Sequence, residues 1–213
     1  NSGVYVFEAI TKDKYGEEVK ETKYFTVFGD NEKNIPVNEI GWFTPLKQKG
    51  EPGEKAAFLI GSAAKGVKVM YEIEHKNKIV HQEWIELDAE QRKITVEIKE
   101  EYRGNFQVHF TFVKHGRNFV YSSTVKVPHT NKMLDVQFET FRNKLLPGQK
   151  EEWKIKIKGK NGEKVAAEMV AAMYDASLDA FRPNSWDLDL LSYNYGNKSW
   201  KSNTSFSTAN SEL

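Results

Sequence analysis

The tightest constraint on this chain is that it repeats itself after ninety-five positions. Pro52-Gly53-Glu54-Lys55 is followed by Phe58 and Ile60, and Pro147-Gly148-Gln149-Lys150 by Trp153 and Ile155. Upstream the copies agree again, with Phe43 falling on Phe138, Leu46 on Phe141 and Lys49 on Lys144. Proline fixes φ and the glycine after it tolerates a positive one, so each pair predicts a turn that feeds a strand. Alternate residues of that strand share a face, which sends Phe58 with Ile60, and Trp153 with Ile155, toward a core. The period matches one β-sandwich of roughly 100 residues.

A second self-match sits near the start. Gly3, Tyr5, Phe7 and Ala9 correspond to Gly104, Phe106, Val108 and Phe110, and Thr26-Val27 to Lys126-Val127. In the complete unit this is the final pair of strands. The expected organisation is therefore a terminal hairpin of a preceding domain over 1–30, a complete sandwich over 34–128, and the first part of a further unit over 131–213. A lone strand pair is marginal in water. Residues 1–30 either pack on a neighbouring domain or supply the last strands of the 131–213 unit.

Short alternating runs bounded by turn residues predict strands at 4–10, 21–28, 57–61, 68–75, 79–87, 92–98, 105–113, 119–127, 133–141 and 152–158. The run 165–174 is rich in Ala and Met and also allows a helix, although Gly162 before it and Ala176-Ser177 after it suit a hairpin strand better. The class is all-β, with antiparallel sandwiches in tandem. From Pro183 onward Asn, Ser, Thr and Gly dominate, and 201–213 reads as mobile; Trp186, Leu188 and Leu190 alternate as one more short strand would.

Composition excludes several functions. Thirty-one basic and 30 acidic residues interleave to a net charge of +1, which leaves no basic stripe for nucleic acid. Lys154, Lys156, Lys158 and Lys160 alternate with Ile155 and Ile157 as the solvated face of a strand. Cysteine is absent, which excludes a disulfide framework, thiolate metal sites and a cysteine nucleophile. No apolar run reaches the length of a membrane-spanning helix. The start at Asn1, with no initiator Met or leader, reads as a processed or trimmed chain whose export signal lies elsewhere.

Nothing in the sequence assembles a catalytic constellation, and neither an enzyme nor a cofactor is expected. His75, His81, His109, His115 and His129 show no metal-ligand spacing, although His75 and His81 flank a turn and face each other across a hairpin if it is regular. Asp175 and Asp179, four apart around Ser177, suit turn and capping bonds better than acid–base work. Glu72, Glu74, Glu83, Glu86 and Glu97 read as the solvent face of a half-buried sheet, with His109 on the outer face of its own strand. Trp42 and Phe43 beside Pro45 suit core or interdomain packing, with a ligand-binding aromatic platform as the rival reading.

The run 141–153, Phe-Arg-Asn-Lys-Leu-Leu-Pro-Gly-Gln-Lys-Glu-Glu-Trp, together with Ala166-Ala167-Glu168-Met169 and Met173-Tyr174-Asp175-Ala176-Ser177-Leu178-Asp179-Ala180-Phe181, resembles bacterial alpha-2-macroglobulin-like proteins of the large Bacteroides type. The run 58–62, with 67–74 and 81–87, resembles the same family. The resemblance covers roughly 40–181 and implies fibronectin-like macroglobulin sandwiches joined into a cage. In such proteins a protease cuts a bait segment and is trapped by the resulting change of shape. It further implies a non-catalytic structural segment of a secreted endopeptidase inhibitor, in the periplasm or associated with the outer membrane. Neighbouring macroglobulin domains and target proteases are the implied partners. The family's thioester needs a cysteine, so covalent capture does not reside in these residues. By position, 182–213 would open the bait segment, with Arg182 and Lys201 as cleavage points for a trypsin-like protease and Pro183 hindering the first. The alternative is a surface adhesion or ligand-binding sandwich, with a groove at Trp42 or Trp84.

Overall fold

The computed structural model describes residues 2–140, 142, 144–160, 162, 164, 167–171, 174–183, 185, 189–196 and 198. They fall into two compact units, one running to Val127 and resuming at Tyr193, the other Pro128–Ser192. The sequence reading carried its last unit through 213; in the structure the chain rejoins the first unit at Tyr193.

Among the described residues the first unit holds nine strands: β1 (Gly3–Lys12), β2 (Glu18–Val27), β3 (Trp42–Lys47), β4 (Lys55–Gly61), β5 (Val67–His75), β6 (Lys78–Leu87), β7 (Gln91–Glu97), β8 (Phe106–Lys114) and β9 (Arg117–Val125). Strands β1 and β2 form a hairpin of their own. The other seven form a sandwich, a three-stranded sheet β3-β4-β7 over a four-stranded sheet β6-β5-β8-β9, antiparallel throughout. The all-β expectation holds.

Alternation along the strands builds the core. Phe58 and Ile60 of one sheet meet Val67, Val69, Val108 and Phe110 of the other, all fully buried. Phe43 stacks between Phe58 and Tyr121, and Phe110 stacks on Tyr71. Burial pushes the Tyr71 phenol well above its ordinary range. The β5–β6 turn runs through Lys76 and Asn77 and the β8–β9 turn through His115 and Gly116, all with positive φ. Two such residues make the tight turn whose twist matches the strands it joins.

Strand β3 was not among the predicted runs, because Pro45 lies inside it. The strand is an edge of its sheet, where a missing N–H breaks no ladder, and the register slips between Pro45 and Lys47. A proline that argues against a central strand is compatible with this one.

The second unit pairs β10 (Leu134–Thr140) with β11 (Lys154–Gly159). A short 3-10 helix, Ala176–Ala180, follows. Of the run expected as a strand or helix at 165–174, residues 167–171 lie in neither, while Val165, Ala166, Ala172 and Met173 lie outside the described residues. Of the expected alternating run, Trp186 and Leu188 lie outside them too, and Leu190 is exposed.

Candidate functional site

Within the second unit, the chain from Lys160 to Ser192 contains no strand among the described residues, only the single 3-10 turn. Asp175 caps that turn, accepting from the Ser177 N–H at 2.9 Å, and this bond holds its carboxyl below the ordinary carboxylate value. Asp179 accepts from the Tyr174 hydroxyl at 2.8 Å, so the two acids have separate partners. Around the turn the chain displays large side chains: Met169, Val170, Tyr174, Leu178 and Phe181 are all exposed, Phe181 to 89%. Arg182 and Pro183 are exposed as well. Lys201 lies outside the described residues.

Pro52-Gly53 and Pro147-Gly148 lie in turns of the same kind. Glu54 N–H donates to Glu51 C=O at 3.0 Å, and Gln149 N–H to Leu146 C=O at 3.0 Å, around glycines of positive φ. Phe58 is fully buried whereas Trp153 is half-buried. The histidines do not pair: His75 is buried with Nδ1 at 3.2 Å from Asn105 C=O, while His81 sits opposite Ile73 and lies 3.4 Å from Glu83. Among the described residues no group of three or more acidic or histidine side chains converges as a metal site.

Sequence reasoning went wrong on the outer face of the four-stranded sheet. Glu72 and Glu74 are not solvated but 3% and 2% exposed, and Gln107 and His109 beside them are also buried. His109 bridges two neighbours, with Nε2 at 2.8 Å from Glu74 and Nδ1 at 2.8 Å from the Ser122 hydroxyl. The carboxylate of Glu72 takes the Gln82 amide at 3.3 Å and the Lys198 ammonium. Alternation along β5 and β8 put these residues on the outward side correctly. It could not show that the chain comes back from Tyr193 to meet Gln107 and Glu72.

A second feature without a sequence signal is Gln91, 2% exposed at the start of β7. Its Oε1 accepts from the Trp42 indole at 3.0 Å, and its Nε2 donates to Gly29 C=O and Glu32 C=O, each at 2.9 Å. Lys93 adds an ion pair to Asp30 at 2.5 Å. The link between the β1–β2 hairpin and the sandwich is thus bonded to the sandwich rather than free. Trp42 serves this anchorage and packs edge-on against Phe28. Trp84 stands 66% exposed on the outer side of β6.

Residues 42–180 match the family model described as the alpha-2-macroglobulin bait region domain. The match opens on the first residue of β3 and closes on the last residue of the 3-10 helix. No curated protein matches the chain.

Proposed function

Because the chain belongs to the alpha-2-macroglobulin bait region domain family, we propose that it is a structural segment of an endopeptidase inhibitor that traps proteases after bait cleavage. Membership makes it a non-catalytic module whose context is other macroglobulin domains. The observation that supports the trapping role is that, among the described residues of 160–192, none lies in a strand and nearly all are exposed. A protease takes its substrate as irregular chain with side chains free to enter pockets, and regular strands resist this. Here aliphatic, aromatic and basic side chains stand out within a few residues of one another, from Met169 to Arg182. Such a mixture serves proteases of different preference.

In this reading the β1–β2 hairpin is the last strand pair of a preceding macroglobulin-like domain, and β10–β11 opens a further one. The parent works outside the cytoplasm, in the periplasm or at the outer membrane, where foreign proteases are met.

Brief digestion of the chain with trypsin, chymotrypsin and elastase, with fragments mapped by mass spectrometry, tests the proposal. First cuts inside 160–192 by enzymes of at least two specificities, with 42–127 intact, are expected. First cuts within the sandwich, or resistance throughout 160–192, would overturn it.

A further inference from the structure

The first unit carries a bound segment of its own chain. At the point where the chain leaves that unit, Gly104 N–H donates to Val127 C=O at 2.9 Å, and the Asn105 side chain accepts from Val127 N–H at 3.1 Å. The returning chain meets the same residue. Gly104 C=O accepts from the Asn194 N–H at 2.6 Å and from the Asn194 side-chain amide at 3.2 Å. Gln107 then donates to Asn194 C=O at 2.9 Å.

Beyond this point burial alternates. Asn194, Gly196 and Lys198 are partly buried, while Tyr193 and Tyr195 are exposed. That is the pattern of a chain lying along a surface with one side down. At Gly196 the fit is close: φ is +73°, and a Cβ there would stand 2.8 Å from Gln107 Cγ. At Lys198 it is selected by charge. The Glu72 side chain lies 4% exposed, and a carboxylate so far out of water requires a cation and hydrogen bonds, which Lys198 and Gln82 supply.

We infer that the outer face of the four-stranded sheet is a docking surface whose occupant is the chain's own 193–198 segment, keyed by Asn194, Gly196 and Lys198. The segment is a strap. It holds the chain that follows the exposed stretch onto the sandwich, so a cut within 160–192 leaves the downstream piece attached. Only release of the strap frees that piece and bares Glu72. The docking itself is independent of the bait reading, whereas its consequence after cleavage rests on that reading.

Hydrogen exchange on the whole chain tests the docking. In the parent protein the 193–198 amides are protected, and Lys198→Met or Gly196→Ala speeds their exchange by about tenfold or more. Both changes lie outside the core, so the sandwich still unfolds in one cooperative transition, its midpoint lowered only by what the lost docking contributed, and this confirms folding. Free exchange of 193–198 in the parent protein, or protection unmoved in both variants, would overturn the inference. Native mass spectrometry of chain cut within 160–192 tests the consequence: the downstream piece stays bound in the parent protein and separates in Lys198→Met. Its equal loss from both would remove the strap role. Absence of any cut there counts against the bait reading alone, and the exchange data still decide the docking.

Discussion

Gly53 and Gly148 hold the same place in the same turn, with φ of +90° and +76°. The strands they join are paired in the same register: Phe43 faces Ile60 in the first copy, and Phe138 faces Ile155 in the second. The hydrogen bond closing each turn is the same length. Burial separates the copies. Phe58 and Ile60 are sealed beneath a second sheet, while Phe138 is 56% exposed. A repeated sequence thus gives a repeated hairpin, and what covers it sets its energetic weight.

Gly53→Ala should destabilise the sandwich by about 1–2 kcal/mol, because an L-residue pays for left-handed backbone. No atom lies within 4 Å of the added Cβ, so the effect is conformational and not steric. Urea unfolding measures it. Gly148→Ala, equally uncrowded, should leave that midpoint alone and speed hydrogen exchange only across β10 and β11.

Phe58→Ala removes a fully buried ring at the centre of the sandwich and should cost about 3–5 kcal/mol. Its counterpart Trp153→Ala should cost clearly less, since that side chain is only half-buried. Equal losses in thermal unfolding would mean that the second hairpin has a core as complete as the first.

Gln91→Ala strands the Trp42 indole N–H and two carbonyls, and should cost about 1–3 kcal/mol. Exchange at 28–33 should rise in this variant while β5 and β8 remain protected. Unchanged exchange at 28–33 would show that the Lys93–Asp30 pair alone fixes the link.

Lys47, 2.8 Å from Glu54, holds that carboxyl below its ordinary value of 4.5, chiefly through their hydrogen bond. A folded value below the unfolded one stabilises above the unfolded value, and the contribution fades as pH falls through the folded one. An NMR titration of Glu54 should therefore show a midpoint below 4.5 that rises toward it in Lys47→Met. The pair is exposed, so salt should weaken the shift.

Much of this fold was legible in the chain. Eight of the predicted runs overlie strands of the first unit, at 4–10, 21–28, 57–61, 68–75, 79–87, 92–98, 105–113 and 119–127. The Pro-Gly turns, the inward Phe58 and Ile60, and the outward side of Glu72, Glu74 and His109 were legible for the same reason. Turn chemistry and two-residue alternation are local, and a strand's neighbours in sequence fix which side each residue takes. Edge strand β3 escaped because Pro45 is tolerated only where a strand has no partner on one side, a fact about the sheet rather than the run.

What tertiary structure decided is which outward residues lose their water. Glu72 meets Lys198 across 126 positions of sequence, and Gln91 meets Gly29 across 62. No periodicity carries information over such distances. A buried carboxylate or amide is tolerable only where distant groups complete its bonds, so its sequence resembles that of any solvated strand until the chain returns to cover it.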